Sequence, residues 1–350
     1  MARSRDDGTV LLSTLLVLSL MSAVALALLA TVQTSVTRTA QLGAAAQADL
    51  YARGAADFVQ SQMDAIGGTD DALLNARLAQ PESFTLPFEN GAIIATVSDG
   101  THCFRLSALS TSNGTGSDTA QARFQSLMEA VGVDRNRAAR IAAAAVDWVD
   151  TDSETRPGGA EDGPYLSRRD GPHRTANVPM QSVTELRAVE GMDEALFRLL
   201  LPHVCIGAPG VPTPFNINTA TEDHALVLAA LLGGGREAET AALALIRARP
   251  GDGYTAESLA AAPALQDFDN AGVNPAAVVV YGPERLVAEV VVRFDTAERM
   301  QLLAFEGLDS RTPDLTYRSW GADEFPSLAR ARLAQRGNPA EGRATGGTTQ

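Results

Sequence analysis

No charged side chain occurs in residues 9–32 of this 350-residue chain, and no proline occurs in residues 8–66. The first absence excludes an ordinary surface helix, which needs a polar face toward water. The second removes the commonest reason for a helix to break. Aromatic residues supply only 5% of the chain, so close packing of small residues is favoured over ring stacking. Basic residues are outnumbered. The formal net charge is −14, which argues against nucleic acid as a partner, because phosphate binding needs a basic face. His102, His173, His203 and His224 show no metal-ligand spacing. There is no Gly-x-Ser-x-Gly elbow, and Gly233-Gly234-Gly235 lacks the Lys-Ser/Thr of a phosphate loop, so it reads as a helix terminator. The only cysteines are Cys103 and Cys205. In an oxidising compartment a disulfide between them is permitted and would contribute roughly 4–5 kcal/mol by chain entropy; the alternative is two unrelated buried thiols.

As a helix, residues 9–32 reach ~36 Å at ~1.5 Å per residue, enough to cross a hydrocarbon core of ~30 Å. A secretory signal would have a shorter apolar centre followed by a small-x-small cleavage site. Arg3 and Arg5 precede the run and the next basic residue is Arg38, which orients the leader toward the cytoplasm. The helical pattern continues to about residue 66. Leu42, Ala46, Leu50, Phe58, Met63 and Ile66 form an apolar seam against a body, and Gly67-Gly68 ends it. Thr69, Asp70 and Asp71 can cap a short helix to about Ala79, and residues 81–87 read as a connector.

Residues 92–97 and 103–106 read as the two strands of a hairpin about Asp99-Gly100. After a polar loop at 110–118 the chain is mainly helical to about residue 267, in segments 122–131, 135–150, 183–189, 194–201, 223–232, 238–248 and 256–262. Strand patterns return at 277–281, 285–295 and 300–305. Strands on both sides of a helical block imply an α+β fold: a long N-terminal helix packed on an antiparallel sheet, with a large all-helical domain inserted. The expected units are a leader (1–8), a membrane-spanning stretch (9–32), helix and first strands (33–118), the inserted domain (119–275), returning strands (276–327) and a disordered tail (328–350).

The densest polar feature is the acidic stretch 147–162, with Asp147, Asp150, Asp152, Glu154, Glu161 and Asp162 opposed only by Arg156. Asp147 and Asp150 fall at a helix C-terminus, where the dipole makes extra carboxylates unfavourable unless a cation compensates. Pro157-Gly158-Gly159 can fold Glu161 and Asp162 back toward them. Calcium takes roughly six to eight oxygens, and such a loop supplies them; the alternative is a solvated acidic loop. It is not an EF-hand: Thr155 occupies the place of the required glycine. Downstream, Ser182 and Glu185 form a capping box ahead of a helix–hairpin–helix shape at 182–201. Glu190, Asp193 and Glu194 give that hairpin the wrong sign for phosphate, so it reads as a packing element. In Phe215-Asn216-Ile217-Asn218-Thr219-Ala220, Asn218 or Thr219 can cap the next helix.

The basic leader ending in Gly8, followed directly by the apolar helix, resembles the class III signal of type IV pilins and pseudopilins. That resemblance implies cleavage by a prepilin peptidase between Gly8 and Thr9. The usual glutamate at the fifth mature position is replaced by Ser13, which suits a tip position. With the stretches at 147–177, 182–192 and 215–220, the chain is similar to the K-type minor pseudopilin (GspK) family of the type II secretion system. The resemblance implies a SAM-like inserted domain carrying structural calcium, with Asp150, Asp152, Glu161 and Asp162 as ligands and Asp147 and Glu154 as further candidates. It also implies a non-enzymatic inner-membrane subunit, with its body in the periplasm, at the tip of a pseudopilus. I- and J-type minor pseudopilins, and the H-type and major pseudopilins, are the implied partners. In the membrane, Ser13, Ser19, Ser22, Ala23, Ala25 and Ala27 allow close helix approach. Two rival readings are a membrane-tethered periplasmic hydrolase using the acidic loop and a pilin-like protein of a DNA-uptake apparatus.

Overall fold

The computed structural model describes residues 6–66, 70–81, 83–169, 171–207, 214–270, 275, 278–308, 313–321 and 325. Residues 1–5, the stop at Gly67-Gly68 with Thr69, Ala277 and the tail from 328 lie outside them. The described residues open with one unbroken helix, α1 (Asp6–Ile66), which the absence of proline permits. A short helix α2 (Asp71–Leu78) follows, capped by Asp70, whose carboxylate accepts from the Ala72 backbone N–H. Then come β1 (Ser83–Phe88) and β2 (Gly91–Asp99). The helical insertion closes with β6 (Val279–Val280), and the chain then supplies β7 (Arg285–Phe294), β8 (Ala297–Glu306) and β9 (Asp314–Trp320). β1-β2-β7-β8-β9 form one antiparallel sheet.

β2 pairs with β7 although the whole insertion lies between them in sequence. The chain leaves at Gly100 and returns at Arg285, and the Gly100 N–H donates to the Arg285 carbonyl at 2.9 Å. Both necks of the insertion therefore sit at one point on the sheet.

Asp99-Gly100 is that point of departure, not the turn of a hairpin. The Asp99 carboxylate accepts from the Thr101 N–H (2.8 Å) and hydroxyl (2.6 Å), which bends the chain out of the sheet. Beyond it β3 (Phe104–Arg105) pairs in parallel with β4 (Val204–Cys205), inside the insertion. The actual hairpin joins β1 and β2 at Asn90, which has φ 63°, a conformation asparagine tolerates better than most residues. β1 occupies the stretch read as a connector. Pro87 obscured its Phe84-x-Leu86-x-Phe88 alternation, but proline is tolerated on an edge strand, where a missing ladder N–H costs little.

The seam of α1 also differs from the expected one. Ala44, Ala48, Ala52, Ala55, Ala56, Val59 and Met63 are buried, whereas Leu42 and Leu50 remain 65% and 64% exposed. Alanine lets the helix lie close on β7 and β8. A leucine stripe there would hold the layers further apart. Leu286, Ala288, Val290, Val292, Leu303 and Phe305 complete this core from the sheet. Tyr51 of α1 stacks on Phe88 at 4.2 Å.

The insertion has a second, separate core. Its helices are α3 (Asp118–Ala130), α4 (Arg135–Val149), α5 (Asp162–Leu166), α6 (Glu194–Leu200), α7 (Ala225–Leu231), α8 (Gly235–Arg247), α9 (Ala256–Ala260) and α10 (Pro263–Asn270), with β5 (Phe215–Asn216) pairing with β6. Phe124, Ile141, Phe197, Leu228 and Leu245 are buried among them. The Ser182–Glu185 capping box is present, though it opens a 3-10 turn over Val183–Ala188. Gly233 and Gly234, with φ of 104° and 77°, separate α7 from α8, in the role expected of a helix terminator.

Candidate metal centre

α4 starts where Asp134 accepts from the N–H groups of Asn136 and Arg137. It runs almost wholly buried toward its C-terminus, so Asp147 is carried into the interior at 0% exposure. Asp150 follows as the C-cap, in extended backbone and 2% exposed. The chain then loops through Asp152 and Glu154, turns at Gly158 (φ 82°), and returns Glu161 to the position just ahead of α5, where its side chain makes no capping hydrogen bond. A Cβ on Gly159 would stand 2.1 Å from Asp147 Oδ2, so any other residue there must displace that carboxylate. Asp147 fastens the loop by accepting from the Arg156 backbone N–H at 3.3 Å.

Asp150, Asp152 and Glu161 converge, with one oxygen of each within 4.8 Å of the others. Asp150 Oδ1, Glu161 Oε1 and the Asn177 side-chain oxygen are buried with no hydrogen-bond donor. Arg156 is the cation at hand, with Nε 3.8 Å from Asp150 Oδ2 and 4.0 Å from Asp147 Oδ1, but Nη1 is spent on Asp118 at 2.6 Å. Burial, reinforced by Asp152, Asp147 and Glu161, pushes the Asp150 carboxyl up to about 6. Burial also raises Asp147 and Glu161 above the usual carboxylate range. Acceptors held this close, short of protons and cations, match the donor set of a hard divalent cation.

The other sequence candidates lie around this group. Asp162 accepts from Arg174 Nη1 (2.5 Å) and from the Thr175 N–H (3.1 Å). Glu154 is exposed, and its backbone N–H donates to Asp152 at 2.9 Å. Thr175 and Asn177 are the participants that the acidic pattern did not reveal. The Thr175 hydroxyl donates to Glu161 at 3.1 Å. Asn177, with φ 50°, donates its N–H to the Trp148 carbonyl at 3.0 Å. In the sequence they stood only as part of the 147–177 stretch that carries the resemblance, with no role of their own, because neutral side chains register in no charge count.

The remaining motifs are structural. Arg137 pairs with Asp193, Arg168 with Glu190 and Arg187 with Glu194, neutralising the acids of the helical hairpin. Asn216 is buried at the junction, and its Nδ2 donates to Asp99 (2.7 Å) and Asn75 (2.9 Å); the Thr219 hydroxyl donates to Asp99 at 2.6 Å. This segment therefore knots the insertion to the sheet, in place of the helix cap expected from its sequence. His102 and His224, far apart in sequence, stack with centroids 4.3 Å apart. Cys103 and Cys205 form a disulfide with Cα atoms 5.7 Å apart.

Two family models, both described as Type II secretion system (T2SS), protein K, match residues 102–209 and 215–280. The boundary between them falls between β4 and β5. Among curated relatives, Type II secretion system protein K of Klebsiella pneumoniae is 34% identical over 329 residues, covering 91% of this chain and 97% of its own length. The protein of the same name from Pectobacterium carotovorum subsp. carotovorum is 33% identical, covering 72% and 78%. A chain from the solved GspK-GspI-GspJ complex of enterotoxigenic Escherichia coli superposes with a TM-score of 0.64 at 23% identity, over 81% of this chain and 99% of its own. That likeness shows the fold, and the sequence relatives show the lineage: this chain belongs to the protein K family of the type II secretion system.

Proposed function

We propose that this subunit stands at the tip of the pseudopilus, where it initiates and caps the fibre, and that calcium stabilises the acidic centre of its crown. Membership of the protein K family makes the chain a minor pseudopilin of the type II secretion system. Among the described residues, one helix is long and apolar enough to cross a membrane.

The insertion carries the tip reading. Residues 100–284 leave and rejoin the sheet at one point, so the helical insertion rides as a crown on a unit of one long helix and five strands. A crown wider than its shaft can start a stack of subunits but leaves no room for one above it. Ser13 supports the same reading. Its hydroxyl donates to the Val10 carbonyl of its own helix at 2.9 Å, and it offers no anion to the terminal ammonium of a neighbour.

The proposed neighbours are I- and J-type minor pseudopilins, because a solved chain of this fold lies in a complex with GspI and GspJ. H-type and major pseudopilins would follow below. In this scheme a prepilin peptidase cuts between Gly8 and Thr9, the helix stays in the inner membrane and the body lies in the periplasm. Asp150, Asp152 and Glu161 would hold calcium, with Asn177 as a neutral donor and Asp147 fastening the loop. The ion would supply the positive charge that Arg156 does not, a structural and not a catalytic service. The decisive mixture contains the body starting at Gln33 and purified I- and J-type subunits. A stoichiometric complex is expected. Recovery of this chain all along isolated fibres, instead of singly at one end, would overturn the tip assignment.

A further inference from the structure

The two sulfurs of the Cys103–Cys205 disulfide meet opposite electrostatic surroundings. Arg285, 1% exposed, directs Nη1 at Cys205 Sγ from 3.4 Å. The neighbouring Arg105 lies in register with Cys205 across the β3–β4 pair. Glu306 faces both guanidiniums, at 3.4 Å from Arg105 and 4.0 Å from Arg285, and so does not single out the sulfur. Cys103 Sγ instead lies 3.4 Å from the carbonyl oxygen of Gly100, a partial negative charge. Cys103 is half-buried and Cys205 is buried, and both line a cavity of about 50 Å³ beside Arg285.

In thiol–disulfide exchange the better-stabilised thiolate leaves, and the attacking sulfur bonds to the other cysteine. We propose that Cys103 is the sulfur through which this disulfide is exchanged, and that Arg285 positions Cys205 as the thiolate that leaves on opening and attacks on closing. For closing, the co-reactant is a disulfide-bearing oxidant, R–S–S–R. The Cys103 thiolate attacks one oxidant sulfur, forming Cys103–S–S–R and releasing one R–S⁻. The Cys205 thiolate then attacks Cys103 Sγ, forming the intramolecular bond and releasing the second R–S⁻. Both cysteines are oxidised, two electrons pass to the oxidant, and the two thiol protons end on its products. Arg285 begins β7, and the next residue, Leu286, lies opposite Asp99 of β2, so its contact with Cys205 links the returning strand to the insertion.

The test uses the full chain in detergent micelles, reduced and then treated with glutathione disulfide, with acid quenching and peptide mapping over time. The expected transient glutathione adduct is on Cys103, and Cys205→Ala retains it permanently. An adduct on Cys205, or equal partition between the two, overturns the proposal. Arg285→Lys should close within about threefold of the native rate. Arg285→Met should close at least tenfold more slowly at pH 7, with a rate that now follows an ordinary thiol titration near ~8.5. A folded Arg285→Met chain that closes at the native rate with the native pH profile refutes the role of Arg285. If that variant does not fold, the adduct position in the native chain decides the assignment.

Discussion

Chelating divalent cations from the full chain in micelles is expected to lower its melting temperature by roughly 5–10 °C. Three carboxylate oxygens within 4.8 Å of one another repel by about 3 kcal/mol per pair at an effective dielectric of ~20, before salt screening. A cation reverses the sign of that field. At a hundredfold excess over its dissociation constant it contributes about 2.7 kcal/mol, and each kcal/mol moves the transition of a body this size by ~2–4 °C. The pH dependence supplies a control. In chelator the folded Asp150 titrates at about 6, above its ordinary value of 3.8, so the native state binds the extra proton. Stability is then gained on acidification from about 6 toward 4 and lost as pH rises through that window. With calcium the sign inverts, because the ion needs the carboxylates ionised. Asp150→Asn separates the two terms: in chelator it should melt no lower than the native chain, and it should lose the response to calcium. The assay is a thermal scan with calcium or chelator at pH 5 and pH 7. A native chain that melts identically in all four conditions refutes the metal centre.

Four further outcomes follow from the packing. Gly159→Ala should abolish the calcium response, since its Cβ would collide with Asp147, whereas Gly163→Ala should retain it, having nothing within 4 Å; the same scans decide. Replacing both cysteines by serine opens a loop with a sequence separation of 102 and should cost about 4–5 kcal/mol in the chain-entropy model. A loss below about 1 kcal/mol in guanidinium unfolding would show that the unfolded chain is already compact there. Asn216→Ala removes a buried amide that donates to both Asp99 and Asn75 and should lower unfolding free energy by about 2–4 kcal/mol. Ala52→Leu on the covered face of α1 should destabilise by about 1–3 kcal/mol through overpacking. Leu50→Asp on the open face should stay within about 0.5 kcal/mol, and equal losses from the two would reject the alanine seam.

Much of the site was legible because charge and backbone chemistry are local. The acidic run, the Pro157-Gly158-Gly159 turn and the C-terminal end of α4 all lie within one short stretch. Their convergence needed only the loop to close. Thr175 and Asn177 were not legible, since a neutral side chain becomes a participant only when folding sets it against an orphaned carboxylate. The same holds for the seam of α1. Periodicity favoured the large residues Leu42 and Leu50, but contact distance to the sheet selected alanine.

By itself the chain determined the long uninterrupted helix, the α+β order and the acidic loop, because an unbroken run of helix formers, alternating β-branched residues and adjacent carboxylates act over a few residues. Only the tertiary structure decided that Asp99-Gly100 is an exit from the sheet, that β2 pairs with β7, and that Arg285 meets Cys205. Those outcomes depend on which distant surfaces bury one another, and strand pairing across an insertion has no local signal before the sheet closes.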